Sequence, residues 1–386
     1  MHPHHYSEKF VNNPGLPAAV DSPSSPVDSH HAPARVSVEI QDKLRSVRNI
    51  LLVRLRSLGD AVLMTPVPRY LRDAFPSARI SVLIEEPYAP VFRRHPDVDE
   101  VIALPEKDSL FRRAAVIFHI RRKRFDLVIN MHSGPTAGLF TALSGAGVRV
   151  AYSAARYARW CNVRVPGSRA FWNADRIHTV EHQISPLLYL GVSVPEEIEL
   201  VVELDPTAEQ AVRGRMKELK VHPGRYVLMH PFATSFTKEW SLFHFAELAR
   251  RLQGIYQVPI LATAGRAELE KLERLVSVSG GLILGLPSLS LEELTVWIDQ
   301  CGLFIGNDSG PTHLAAARKK KIVVLWGSSD YQAWHPWAGD YQLLRADLPC
   351  IPCPGDRCYQ FDTPKCIESV SVDHAVHAVE RLRPFV

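Results

Sequence analysis

The sequence predicts an α/β fold of two Rossmann-like, doubly wound domains facing a central cleft. Three observations predict it. Short apolar runs bounded by polar residues recur along the chain, as strands buried on both faces of a parallel sheet require. Helical patterns separate those runs, which is the alternation of βαβ units. The alternation stops near 195–206 and then restarts, so the 386 residues hold two such domains, each long enough to bury its own core.

Residues 1–46 are rich in Pro, Ser, Ala and His and poor in large apolar groups, so they read as a disordered extension. His2, His4, His5, His30 and His31 read there either as weak metal ligands or as parts of a solvated tail. The first domain, 47–205, opens with the buried strand Ile50-Leu51-Leu52-Val53-Arg54 and the loop 55–59. A helix over 60–75 follows, with Val62, Leu63, Val67, Leu71 and Phe75 along one side. Then come strand 79–84, helix 88–94, strand 101–104, a basic helix 111–125, strand 127–130, helix 138–143 and strand 148–151. The second domain, 206–386, runs through helix 208–219, strand 226–230, helix 242–252, strand 259–262 and helix 267–276. Strand 282–284, helix 291–299, strand 303–305, a helix from about 310, strand 322–326 and helix 373–382 complete it.

The composition, 46% hydrophobic and 22% charged, is that of an ordinary globular chain, and a net charge of +4 is too mild to imply nucleic acid. No apolar run is long enough to span a bilayer, and the N-terminus lacks the pattern of an export signal. A cytoplasmic protein is expected. Arg112, Arg113, Arg121, Arg122, Lys123 and Arg124 bracket the apolar run 114–120. That segment reads either as a helix resting on an anionic membrane surface or as a solvated helix face. Cys161 and Cys301 stand alone and read as buried small hydrophobes. Cys350, Cys353, Cys358 and Cys366 fall in one loop, 350–366, and read either as a structural zinc site or as free thiols.

The richest motif is Gly306-Asn307-Asp308-Ser309-Gly310-Pro311-Thr312-His313, a strand end running into a helix start. Free N–H groups and the positive dipole end gather at such a start, which makes an anion site suited to phosphate. The other reading is a capped helix without a ligand. Asp308 cannot itself favour an anion and is expected to cap its own helix, leaving Ser309, Gly310 and His313 to touch phosphate. After strand 226–230, Thr234 and Ser235 offer hydroxyls and Lys238 a cation for the same anion. In the first domain, Asp60 follows Gly59 after the first strand. It reads as a general base or as a helix N-cap. No G-x-G-x-x-G follows a strand and no Walker lysine appears, which disfavours dinucleotide and P-loop chemistry.

These residues together resemble glycosyltransferase family 9, the ADP-heptose:lipopolysaccharide heptosyltransferases of GT-B fold. The resemblance covers about 48–383. It is carried by Ser57-Leu58-Gly59-Asp60, Thr65-Pro66, Lys238-Glu239-Trp240, the 306–313 motif and Trp326-Gly327. It implies a metal-independent, inverting transfer of heptose from ADP-heptose to a sugar hydroxyl of the lipopolysaccharide inner core, with no cofactor required. It assigns the base to Asp60 and the diphosphate to Lys238, Asp308, Ser309, Gly310 and His313, with Thr234 beside the phosphate. It assigns a nucleoside contact to Glu268, or to Glu270 nearby. The first domain would bind the acceptor and the second the nucleotide sugar. The enzyme would then work in the cytoplasm, peripheral to the inner membrane, with its basic helix against the lipid that carries the acceptor. The rival readings are the same fold with another nucleotide sugar, and a sugar-nucleotide-binding protein without catalysis.

Overall fold

A computed structural model describes residues 36–105, 109–172, 174 and 176–385. The expected N-terminal extension lies outside the described residues up to residue 35, and its last part differs from expectation. Val38–Arg45 forms a helix, α1, which buries Ile40 and Leu44, a four-residue spacing that puts both on one side. The chain divides into two compact units, with the boundary between Glu203 and Leu204.

The first unit holds β1 (Asn49–Val53), α2 (Leu58–Leu63), α3 (Pro66–Ala74), β2 (Arg79–Glu85), α4 (Pro90–Arg93) and β3 (Glu100–Leu104). It continues with α5 (Leu110–Lys123), β4 (Leu127–Asn130), α6 (Pro135–Leu143), β5 (Val148–Tyr152), β6 (Val163–Val165) and α7 (Thr179–Tyr189). All six strands are parallel, in the order β3-β2-β1-β4-β5-β6. Leu52 of β1 lies opposite Val82 on one side and Ile129 on the other. Ile50, Leu51, Leu52 and Val53 are all fully buried, which explains the unbroken apolar run. Each such side chain stabilises the unit by about 1.5–3 kcal/mol relative to exposure. The single helix expected over 60–75 is two. Pro66 has no N–H to donate to the carbonyl one turn back, so the hydrogen-bond ladder breaks even though Met64 and Thr65 keep helical dihedrals; α2 ends and α3 begins with Pro66 in its first turn.

The second unit holds α8 (Pro206–Glu218), β7 (Val227–His230), α9 (Leu242–Tyr256), β8 (Ile260–Thr263), α10 (Leu269–Val278) and β9 (Ile283–Leu286). After these come α11 (Leu291–Gln300), β10 (Leu303–Asn307), α12 (Gly310–Ala317), β11 (Lys321–Trp326), α13 (Tyr331–Trp334), β12 (Asp340–Arg345), α14 (Lys365–Glu368) and α15 (Val372–Leu382). Its sheet order, β12-β11-β10-β7-β8-β9, repeats the first topology strand for strand. Trp240, Phe245, Leu248 and Leu252 pack with Val376 and Val379 of α15 over one face of this sheet. In each sheet the strand order reverses between the unit's first and fourth strands, β1 beside β4 and β7 beside β10. Ligands of open α/β sheets bind at the carboxyl ends of the strands at such a switch point.

Candidate functional site

At the first switch point, β1 runs directly into Arg54, and α2 begins four residues later. Ser57 takes the N-cap position and Asp60 the third helical position, so Asp60 is not itself the N-cap. The Asp60 carboxylate is held from both sides. Its Oδ2 accepts from the Ser57 N–H at 3.3 Å and from the Ser57 hydroxyl at 3.0 Å, while Oδ1 pairs with a guanidinium nitrogen of Arg54. The Arg54 side chain is buried, and its Nη1 donates to the carbonyl of Met131, just beyond β4. His132 follows on that same loop, its N–H donating to Asn130 Oδ1 at 3.0 Å. Burial and the charge of Arg54 hold the His132 and His182 imidazoles below the usual histidine range, His182 at about 4. Both rings are therefore neutral at pH 7. Gly134 lets the His132 ring lie close over the backbone: a Cβ there would fall 2.6 Å from its Nε2, so the ring would have to shift.

At the second switch point, the loop after β7 and the end of β10 are tied together. Asn307 Nδ2 donates to the Pro231 carbonyl at 2.8 Å, and its Oδ1 accepts from the Trp240 N–H at 3.2 Å. Glu239 accepts from the Ala233 N–H at 3.1 Å and from Lys271 at 2.9 Å, which closes the 233–239 turn. That turn delivers Lys238, whose ammonium lies 2.7 Å from Asp308 Oδ2. The Ser329 hydroxyl donates to the same oxygen. Asp308 thus does not cap α12, contrary to expectation. Ser309 holds the N-cap position without making a side-chain cap bond, and among the described residues its buried hydroxyl has no hydrogen-bond partner. A buried hydroxyl left unsatisfied costs about 1–3 kcal/mol. An anion held at the start of α12 would satisfy it and meet the positive end of the helix dipole.

Residues 113–361 match glycosyltransferase family 9 (heptosyltransferase). The chain belongs to that family. It is 26% identical over 323 residues to lipopolysaccharide heptosyltransferase 3 of Escherichia coli, covering 75% of this chain and 89% of that one. Among solved structures, a family 9 glycosyltransferase from Veillonella parvula superposes with a TM-score of 0.73 at 21% identity, covering 87% and 97% of the two chains. The E. coli heptosyltransferase WaaC with ADP-2-deoxy-2-fluoro heptose superposes with a TM-score of 0.64 at 20% identity, covering 86% and 99%. These likenesses show the GT-B fold.

In this glycosyltransferase, Lys238, Asp308, Ser309 and Gly310 converge at the second switch point, and Asp60 stands at the first. His313 is buried on α12, its ring 6.4 Å from that of Trp334. Thr234 is exposed on the 233–239 turn. Glu268 closes its own turn after β8, with Oε2 accepting from the Gly265 N–H at 2.8 Å, and Glu270 is exposed on α10. Sequence reasoning missed Arg54, His132, Asn307 and Ser329. Arg54 and Asn307 lie inside quoted motifs, but their value comes from partners 77 and 76 residues away.

All six cysteines are free thiols, with Cys161 and Cys301 buried as expected. The four cysteines of 350–366 suit zinc by donor chemistry. Among the described residues, however, no three His, Cys, Asp or Glu side chains gather closely enough to hold an ion. Burial and the neighbouring thiols push Cys366 up to about 11, which leaves it protonated at pH 7. The loop packs on the lysine turn instead. The Thr237 hydroxyl donates to the Gly355 carbonyl at 2.7 Å, and the Cys353 N–H donates to the Ser328 carbonyl at 3.0 Å.

Proposed function

We propose that this chain transfers heptose from ADP-heptose to a hydroxyl of the lipopolysaccharide inner core in one inverting displacement. The observation that carries the reading is the second switch point. There a lysine and an unsatisfied N-cap hydroxyl stand at a helix start, as a departing diphosphate needs. The relatives' names supply the sugar and the acceptor: they are lipopolysaccharide heptosyltransferases, and one solved neighbour holds an ADP-heptose analogue.

Asp60 is the base of this reading. As the acceptor oxygen bonds to the anomeric carbon, its proton passes to the Asp60 carboxylate. The bond from that carbon to the diphosphate oxygen breaks, and the electron pair leaves on ADP. Attack from the side opposite the leaving group inverts the centre, as in single-displacement glycoside chemistry. Lys238 and the α12 N–H groups stabilise the charge that develops on ADP. An ammonium has three donors and Asp308 takes one, so Lys238 can meet phosphate without leaving its partner. These groups supply the leaving-group stabilisation that a divalent ion supplies elsewhere, which favours a metal-independent reaction. In this reading the first unit binds the acceptor and the second the nucleotide sugar, with Thr234 near phosphate and Glu268 near the nucleoside.

No helix among the described residues is long and apolar enough to cross a membrane. We place the enzyme at the cytoplasmic face of the inner membrane, where a lipid-borne acceptor is found. Helix α5 supports this. It buries Ile120 and packs the partly buried Val116 and Ile117 against the first core, yet turns Phe111 and Phe118 outward at 89% and 61% exposure. Arg112, Arg121 and Arg122 are exposed on the same helix, and the Arg122 guanidinium lies 5.8 Å from the centre of the Phe118 ring. Outward phenylalanines among arginines suit an anionic bilayer surface.

The test is turnover of ADP-heptose with a truncated core acceptor by wild type and Asp60→Ala. Activity in the wild type and its loss in the variant are expected. Equal rates in both would remove the base, and protection against thermal unfolding by another nucleotide sugar but not ADP-heptose would remove the donor.

A further inference from the structure

Arg54 is 7% exposed, and a buried guanidinium costs several kcal/mol unless its donors are used. Burial lowers its pKa while the Asp60 charge opposes that shift, so the pair sustains the charge. One nitrogen is anchored to the Met131 carbonyl beyond β4, and another ends on Asp60 Oδ1. The arginine thus bridges the two strands that flank the switch point. Ser57 holds the opposite oxygen of Asp60 through its N–H and hydroxyl. A carboxylate gripped in this way has little rotational freedom. A planar guanidinium spans two fixed acceptors, whereas an ammonium at the same place acts as a point charge.

We propose that Arg54 is the positioning residue of the transfer: gripping the Asp60 carboxylate from the side opposite Ser57, it fixes the orientation in which that carboxylate meets the acceptor hydroxyl. The inference rests on Asp60 being the base. Arg54 keeps all its protons throughout; the proton of the acceptor hydroxyl goes to Asp60 alone. A misplacement of about 1 Å in such a group costs on the order of 100-fold in rate. Donor binding is carried by other residues, so the effect belongs in kcat.

The experiment measures kcat and the KM for ADP-heptose in Arg54→Ala, Arg54→Lys and Asp60→Ala. Each is assayed with and without non-denaturing guanidinium chloride, against matched sodium chloride. In Arg54→Ala, kcat is expected to fall on the order of 100-fold with the KM for ADP-heptose unchanged. Guanidinium, and not sodium, should restore part of it by occupying the vacated space. Arg54→Lys should fall between wild type and Arg54→Ala, and Asp60→Ala should not respond to guanidinium. Wild-type kcat in Arg54→Ala, a loss that guanidinium does not relieve, or a matching rise in the KM for ADP-heptose would overturn the proposal. If Arg54→Ala does not fold, Arg54→Lys decides: a lowered kcat at unchanged KM supports the proposal, and an unchanged kcat overturns it. Full activity in Asp60→Ala is a separate result, which removes the base and not only its support.

Discussion

The ammonium of Lys238 lies 2.7 Å from Asp308 Oδ2, joining two loops 70 residues apart in sequence. Asp308 is almost wholly buried and Lys238 partly so, and Ser329 hydrogen-bonds to the same carboxylate oxygen. In the proposed reading the carboxylate aims the lysine and does not itself meet the anion. Lys238→Ala should weaken ADP binding about 10- to 100-fold, the range of a charge-assisted hydrogen bond worth about 1.5–3 kcal/mol. Asp308→Asn should weaken it less, because the lysine remains but loses its aim. Calorimetric titration with ADP reads both, and unchanged affinity in Lys238→Ala would exclude the lysine from the phosphate site.

Gly327 allows the lysine turn to approach β11. A Cβ at Gly327 would lie 2.1 Å from the Thr237 carbonyl oxygen and 3.0 Å from the Lys238 Cα, and backbone atoms cannot swing aside. Gly327→Ala should cost about 1–3 kcal/mol of stability and weaken ADP binding as well. Gly254, exposed in α9 with nothing within 4 Å of its added Cβ, is the control. Gly254→Ala should stabilise by about 0.5–1 kcal/mol. Thermal melts that ranked the two substitutions the other way would refute the packing argument.

His230, buried at the end of β7 with its Nδ1 3.2 Å from the Thr263 hydroxyl, is pushed down to about 4 by burial. Above about pH 6.5 the folded and unfolded forms are both neutral at this residue, so it adds no pH dependence. Between about pH 6.5 and 4 only the unfolded chain takes the proton, so stability falls as the pH drops, by up to about 1.4 kcal/mol per unit. Below 4 both forms are protonated and the dependence ends. In His230→Asn the decline in melting temperature from pH 7 to pH 4.5 should be shallower than in wild type. Parallel curves would show that the imidazole is not held neutral.

The outward face of α5 makes a prediction about membranes. Wild type should co-sediment with phosphatidylglycerol vesicles more strongly than with phosphatidylcholine vesicles, and less so at high salt. Phe111→Ser with Phe118→Ser should lower that binding on the order of 10-fold or more, since each ring inserted is worth up to about 1.5–3 kcal/mol. Turnover of a soluble truncated acceptor should not change. Equal binding of wild type and the double variant would discard the phenylalanines as membrane contacts.

Most strands were legible because a parallel strand covered on both faces must be apolar at every position, as in Ile50–Val53 and 227–229. The elements that escaped lack that property. β6 has only three residues, and β12 is an edge strand with most of its side chains half-exposed. Helix α7 contains Pro186 and buries Glu181, Gln183 and Ser185, so its polar residues do not mark a solvent face. The candidate site was legible in part for a similar reason. Lys238, Asp308 and Asp60 follow recognisable strand ends, whereas Arg54 reads as the last residue of a strand until Met131 and Asp60 are brought to it.

Alone, the sequence determined two parallel α/β units and the loops that carry their chemistry, because strand burial, helix period and proline breaks act within a few residues. Only the tertiary structure decided which side chains those loops pair. The crossovers set β1 beside β4 and β7 beside β10, so Arg54 grips a carbonyl past β4 and Asp308 receives a lysine from the β7 loop. No local pattern records such a pairing, since its two halves meet only when the sheet has closed between them.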